Sequence, residues 1–179
     1  EELDPADNCE EFAVLSERDV AFLAETARRY AEETPYGIYL TFPGTGFGDI
    51  ALVPAPWLKR PRGIRDVAEW YLSLVARQDY VRAVFDRQLE VARENIELLA
   101  AALGDNVDVV CLTGTDFGSQ RGLLISKEIY RSLFKPYHVE VNRLIHEKTN
   151  WKTFIHSCGS VRELIPDFIE AGFDVLNPV

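Results

Sequence analysis

The sequence has no methionine and few cysteines among its 179 residues. Cys9, Cys111 and Cys158 are odd in number and irregularly spaced, so a disulfide framework is not expected and a reducing cytoplasm fits best. No apolar run is long enough to cross a membrane, and the acidic start lacks the basic and apolar regions of a signal peptide. Because methionine is missing even at position 1, we expect the natural start of the gene product to lie upstream.

The chain also lacks positive charge. Its formal net charge of -10 at pH 7 repels nucleic acids and anionic lipid surfaces. Apolar residues make up 47% of the sequence, which is enough for one domain with a sizeable buried core. We therefore expect a single globular domain whose partners are neither nucleic acids nor membranes.

Strand and helix patterns alternate along the chain. Runs rich in β-branched and aromatic residues predict strands at 38–42, 107–112, 152–155 and 174–176. Apolar residues spaced by three and four predict helices between them. Their start signals are residues of the capping type or a proline in the first turn, at Ser16, Asp79, Ser126, Pro136 and Ser160.

This alternation is typical of a parallel α/β sheet, either doubly wound or closed into a barrel. A complete (β/α) barrel needs about 250 residues and eight strands. Only the four predicted strands are present, and the last has no helix after it. We therefore interpret residues 1–179 as the central portion of a single (β/α)8 barrel domain, incomplete at both ends.

Polar residues follow three of the predicted strands. Asp116 lies in the loop after the second strand, His156 and Cys158 follow the third, and Asn177 follows the last. Parallel strands share one direction and barrel sites lie at their carboxyl ends, so these four side chains are expected to converge.

His156 and Cys158 are separated by one residue and can reach a common metal ion, since imidazole and thiolate are both good zinc ligands. A catalytic zinc usually has three protein ligands, so a third would come from Cys111, Asp116 or a residue beyond Val179. A single His-x-Cys is a weak motif, and a purely structural role for the pair stays open. Asp116 also has an alternative, structural interpretation, as a turn residue whose side chain accepts backbone N–H groups.

Two other features have simpler interpretations. The glycines at 44, 46 and 48 resemble a phosphate loop, but no helix or lysine follows in the required position, so we interpret the segment as a flexible loop. His138 and His146 have polar neighbours on a predicted helix and are expected at the surface.

Five motifs occur in order within the second half of the chain. They are Asp-Phe-Gly-Ser-Gln at 116–120, Ile-Ser-Lys-Glu-Ile-Tyr at 125–130, Phe-Lys-Pro at 134–136, His-Ser-Cys-Gly at 156–159 and Gly-Phe-Asp-Val-Leu-Asn-Pro-Val at 172–179. As an ordered set they resemble the uroporphyrinogen decarboxylase superfamily. The resemblance covers about residues 105–179 clearly and the earlier part of the chain only vaguely.

The resemblance implies a (β/α) barrel and favours the zinc-dependent branch that transfers methyl groups between corrinoid proteins and thiols or small methylated compounds. It implies that His156 and Cys158 are metal ligands, with a further cysteine downstream of Val179. Asp116 and Asn177 are then the candidate catalytic residues, and no residue is assigned to an organic cofactor. The expected cofactors are zinc and a corrinoid carried by a partner protein.

Two alternatives remain at this point. One is the uroporphyrinogen III decarboxylase of porphyrin and heme biosynthesis, which the arginine-poor loops after the strands suit badly because its substrate is polyacidic. The other is a partner subunit without catalysis. On either enzymatic interpretation we expect the 179-residue piece to be inactive alone, because half of the loops that build a barrel site are missing.

Overall fold

The computed structural model describes residues 3–178, whose strands form one parallel sheet. The strands are β1 (Tyr39–Thr41), β2 (Val109–Thr113), β3 (Lys152–His156) and β4 (Val175–Asn177). They lie side by side in chain order, and all three pairings are parallel. The predicted strands are confirmed with shifts of one or two residues at their ends. Within residues 3–178, β1 and β4 are the two edge strands, and each pairs with a neighbouring strand on one side only. The sheet is therefore not closed into a barrel.

Helices connect the strands and cover one face of the sheet. They are α1 (Glu17–Glu33), α2 (Val67–Ala76), α3 (Gln78–Leu103), α4 (Lys127–Ile129), α5 (Lys135–Lys148) and α6 (Ile165–Glu170). Short 3-10 turns occupy Pro5–Cys9, Gly104–Asn106 and Arg162–Leu164. Within the described part of the chain, no helix is both long and apolar enough to cross a membrane.

Burial alternates along the strands, as expected when the two faces of a sheet have different surroundings. Leu40, Val110 and Ile155 are fully or almost fully buried and belong to the main hydrophobic core. Residues of the opposite face stay partly exposed, and the rings of Tyr39 and Phe154 meet edge to face there with centroids 5.5 Å apart. One face of the sheet therefore carries the core and the other remains accessible.

The segment from Ser126 to Lys148 is one continuous helix, although the sequence predicts two. Ser126 caps α4 as predicted, and a π turn at Tyr130–Phe134 connects α4 to α5. Pro136 has no N–H for the Ser132 carbonyl, which would be its partner in an α-helix. Arg82 instead donates to that carbonyl at 2.7 Å. The proline thus distorts the helix without ending it, and a side chain from α3 satisfies the freed carbonyl.

Two predicted caps are wrong. Asp79 lies inside the first turn of α3, which begins after Arg77 without a side-chain cap. Ser160 caps no helix, because its N–H donates to the Ser119 carbonyl at 2.7 Å and the helical segment begins after Val161. A contact with a distant loop has replaced the local cap.

The two helix histidines differ in their surroundings. His146 is partly exposed and lies 2.8 Å from the Asp174 carboxylate. His138 is completely buried, contrary to the prediction, and its Nδ1 lies 3.0 Å from the Tyr130 hydroxyl. Burial lowers the pKa of His138 to about 3, so this imidazole is neutral at physiological pH.

Candidate metal centre

The four predicted site residues meet at the carboxyl ends of β2, β3 and β4. His156 and Asn177 are the last residues of their strands, Cys158 is the second residue after β3, and Asp116 lies in the loop after β2. The parallel topology brings them together, as the positions after the strands predicted.

His156 is held in one orientation by Asn177. The Nδ1 atom lies 2.9 Å from the Asn177 amide oxygen, which can only accept a hydrogen bond, so Nδ1 carries the ring proton. The lone pair is then on Nε2, which lies 3.2 Å from Cys158 Sγ and 3.8 Å from Asp116 Oδ1. A metal-binding histidine is commonly fixed in this way, through a hydrogen bond from its other ring nitrogen.

Asp116 connects the loop after β2 to the loop after β3. Its Oδ1 accepts the backbone N–H of Cys158 at 2.6 Å, so the backbone donor that it satisfies lies in another loop and not in the local turn of the alternative interpretation. Next to this bond, the N–H of Phe117 donates to the Ser157 hydroxyl at 2.9 Å. The backbone that carries the Cys158 thiol is therefore fixed from the neighbouring strand.

Two glycines allow these loops to approach each other. A Cβ on Gly159 would overlap the Gly118 carbonyl group and would lie 2.7 Å from the Ser119 nitrogen. Gly159 also has φ +84°, a left-handed conformation that favours glycine. The glycine of the His-Ser-Cys-Gly motif thus serves the contact that positions Cys158.

Asp49 is a site residue that the sequence analysis missed. It lies in the glycine-rich loop after β1, and its carboxylate accepts the Ala51 N–H at 2.9 Å. Burial raises the pKa of Asp49, the nearby Asp116 carboxylate raises it further, and N–H groups of the loops together with His156 oppose the change. Asp49 is therefore a second carboxylate in the same electrostatic environment as Asp116.

The loop that carries Asp49 is packed and not free. Gly44 has φ +108°, and a Cβ there would lie 3.0 Å from the Ala92 nitrogen of α3. Gly48 has φ +64°, and a Cβ there would lie 2.8 Å from the Phe134 ring. The interpretation as a flexible loop is corrected by these contacts, which hold Asp49 in place.

Tyr71 of α2 also borders the site. Its hydroxyl lies 3.5 Å from the Asp116 carbonyl oxygen. Burial raises the pKa of the Tyr71 phenol, and the negative charges of Asp116 and Asp49 raise it further. The only signal for Tyr71 in the sequence is a tyrosine on an amphipathic helix, which is far commoner as a packing residue.

Three side chains have donor atoms close enough to share a metal ion. One atom each from Asp116, His156 and Cys158 can be chosen so that all lie within 4.8 Å of one another. Cys111 is not in this group, since it lies on β2 with its Sγ 3.8 Å from the Thr113 carbonyl. The chain itself offered two candidates for the third ligand, Cys111 and Asp116. The structure brings Asp116 to the His156–Cys158 pair.

The comparisons with known proteins support the fold alone. No family model matches the sequence, and no curated protein matches it. Among solved structures, a methyltransferase from Methanosarcina mazei matches with a TM-score of 0.57 and 16% sequence identity. The match covers 94% of this chain but 45% of that protein, so the chain spans less than half of its length. The four parallel strands and their helices therefore have the fold of one part of a larger methyltransferase.

Proposed function

We propose that this chain is the metal-binding portion of a zinc-dependent methyltransferase of the uroporphyrinogen decarboxylase superfamily. In this proposal a methyl group moves between a corrinoid protein and a thiol or small methylated compound. The observation that carries the proposal is the convergence of Asp116, His156 and Cys158 at the carboxyl ends of parallel strands. The likeness to part of a methyltransferase fold supports it.

The donor set suits zinc. Zn–N of about 2.05 Å and Zn–S of about 2.3 Å at a tetrahedral angle place the two ligand atoms about 3.6 Å apart. His156 Nε2 and Cys158 Sγ are 3.2 Å apart, which is within a few tenths of an ångström of that separation. The Nε2 lone pair faces this space because Nδ1 donates to Asn177. Mixed nitrogen and sulfur ligands favour zinc over magnesium or calcium, which prefer oxygen.

The metal would be held by His156 and Cys158, with Asp116 as the third donor within the chain or a downstream cysteine in its place. When bound, zinc supplies a Lewis acid that lowers the pKa of a coordinated thiol into the neutral range. Asn177 keeps the imidazole in the required tautomer, and Asp116 holds the Cys158 backbone through its N–H. Asn177 is therefore a positioning residue, and Asp116 is a positioning residue whose carboxylate also lies within reach of the metal.

Metal content and activity test this proposal directly. We expect the complete gene product to bind one equivalent of zinc after purification and dialysis, and to lose it on the substitution Cys158→Ala. Cys111→Ala is the matched control, because Cys111 is a half-buried thiol on the adjacent strand outside the donor group. With the complete gene product, we expect demethylation of methylcobalamin in the presence of a thiol.

Other results would select another function. Metal-free protein that decarboxylates uroporphyrinogen would show that the decarboxylase branch is correct. Zinc binding with neither activity would favour the partner-subunit interpretation, and absence of zinc from the complete wild-type gene product would refute the metal site.

A cysteine nucleophile is the second candidate, and one observation favours it. The Cys158 thiol lies 3.2 Å from His156 Nε2, and the other ring nitrogen bonds to Asn177. An imidazole in this arrangement can accept the thiol proton while the amide fixes the ring. Iodoacetamide separates the two candidates. We expect one equivalent of zinc to protect Cys158 from alkylation, whereas a nucleophile site would react faster than Cys111 whether or not zinc is present.

A further inference from the structure

A cavity of about 530 Å³ lies where the glycine-rich loop faces the carboxyl ends of β1 and β2. Its walls include Thr41 and Thr113 from the strand ends, Asp49 from the loop, and Trp57. A volume of this size is typical of sites for small molecules, which span about 300–1,000 Å³. Through Asp49, the cavity borders the metal group described above.

The cavity has one carboxylate, that of Asp49, without a lysine or arginine partner. Two acidic residues, Glu11 and Asp49, are among its walls. Glu11 is neutralised by Arg65, whose guanidinium nitrogens lie 2.9 and 3.2 Å from the two carboxylate oxygens. Asp49 accepts backbone N–H groups, and among the described residues of the cavity wall there is no lysine or arginine. A half-buried carboxylate without a lysine or arginine partner attracts a cation and repels an anion.

The cavity also presents aromatic surface. Trp57 is 54% exposed although it is a large apolar side chain, and the half-buried Phe12 and Phe42 line the same cavity. The face of an indole ring attracts cations, most strongly those that are weakly hydrated, such as alkylated ammonium groups. A carboxylate and an aromatic face in one cavity are complementary to an organic cation, whereas an anionic thiol would meet Asp49 without a compensating charge.

We propose that this cavity binds a small methylated ammonium compound. The inference rests on the proposed function and deepens it, because it selects the methylated substrate over an anionic thiol as the occupant of this space. The ammonium head lies between Asp49 and the Trp57 ring, and the exposed Thr41 at the end of β1 lines the space for the rest of the molecule.

Choline and its neutral analogue 3,3-dimethylbutan-1-ol provide a matched pair of probes, equal in shape and different in charge. Trp57 reports their binding by fluorescence, because Trp70 and Trp151 are 2% and 1% exposed. We expect choline to bind at least about tenfold more tightly than the neutral analogue, which is the ratio for a partly desolvated cation–π and carboxylate site. Isethionate, a sulfonate of similar size, is expected not to bind.

Asp49→Asn should remove most of the preference for choline while leaving the affinity for the neutral analogue unchanged. Asp79→Asn is the control, since Asp79 is an exposed carboxylate in the first turn of α3. Trp57→Phe, followed by calorimetry, should weaken choline binding severalfold. Equal affinity of wild-type protein for the two probes would overturn the proposal even if the Asp49 variant failed to fold, and so would an unchanged preference in a folded Asp49→Asn protein.

Zinc content, measured on the same samples, separates this inference from the proposed function. Choline selectivity in a protein that binds no zinc would leave the cavity assignment standing and refute the metal site. Stoichiometric zinc without choline selectivity would refute the cavity assignment alone.

Discussion

Replacing Gly159 with alanine is expected to damage both stability and the metal centre. The new methyl group would overlap the Gly118 carbonyl, and neither atom belongs to a flexible side chain that can turn away. The loop after β3 must therefore move from the loop after β2. The two hydrogen bonds that flank Gly159 between these loops run from Ser160 N–H to the Ser119 carbonyl and from Cys158 N–H to Asp116.

The expected loss in the free energy of unfolding has two contributions. Alanine in a left-handed conformation costs about 1–2 kcal/mol relative to glycine. The two hydrogen bonds contribute about 1 kcal/mol each, and more if a buried group is left without a partner. We therefore expect Gly159→Ala to lower the free energy of unfolding by about 3–4 kcal/mol and to abolish zinc binding by displacing Cys158.

Urea unfolding followed by circular dichroism measures this change, with Gly104→Ala as the control. Gly104 also has positive φ, at +53°, but a Cβ there meets nothing within 4 Å. The control should show a conformational cost alone, about 1–3 kcal/mol, because Gly104 has ψ −131° and lies outside the ordinary left-handed region. It should leave zinc binding intact, so loss of zinc in both variants would refute the steric argument, and a Gly159→Ala protein that still binds stoichiometric zinc would refute the role assigned to the glycine contact.

Three further predictions concern single side chains. Burial alone would raise the pKa of Asp174, but the Thr153 N–H and neighbouring cationic groups lower it to about 2. Its contribution to stability, reduced to about 1 kcal/mol by solvent screening of this exposed residue, is therefore present above pH 4 and is lost as the pH falls towards 2. The stability difference between wild type and Asp174→Asn should disappear over that interval in acid titrations. Asn177→Leu removes the acceptor for His156 Nδ1 and should weaken zinc binding by about 10- to 100-fold in competition with a chelator, with little change in unfolding. The ring protons of His138 should show no titration between pH 5 and 8 in NMR spectra, because burial lowers its pKa to about 3.

The position of the predicted site could be read from the sequence because it depends on a rule of topology. Asp116, His156, Cys158 and Asn177 each follow a strand, and a parallel sheet brings the ends of its strands to one edge. The rule needs only the alternation of strands and helices, which the hydrophobic pattern shows clearly. The rule did not identify Asp49, because the loop after β1 is long. Packing of this loop on α3 and on the π turn is what places Asp49 near the site.

His138 shows how a local irregularity changes a prediction. In a straight α-helix, residues eight apart point about 80° away from each other, whereas residues seven apart differ by only about 20°. The π turn at Tyr130–Phe134 absorbs an extra residue, so Tyr130 and His138, eight residues apart, lie on the same buried face. The polar neighbours of His138 in sequence gave no sign of this shift. Ser160 was mispredicted for a related reason, since the partner of its N–H is a loop far away in sequence.

The order of the strands in the sheet also has a consequence for how the chain folds. Neighbours in space are neighbours in sequence, but the chain enclosed between them becomes shorter along the protein. The first pair joins positions 70 apart, at Ile38 and Asp108, while the last joins positions 21 apart, at Thr153 and Asp174. Closing the longer segment costs about 1 kcal/mol more in chain entropy. The unit that contains β3 and β4 therefore closes at the lowest entropic cost, and the β1 edge is the last part of the sheet to gain from its contacts.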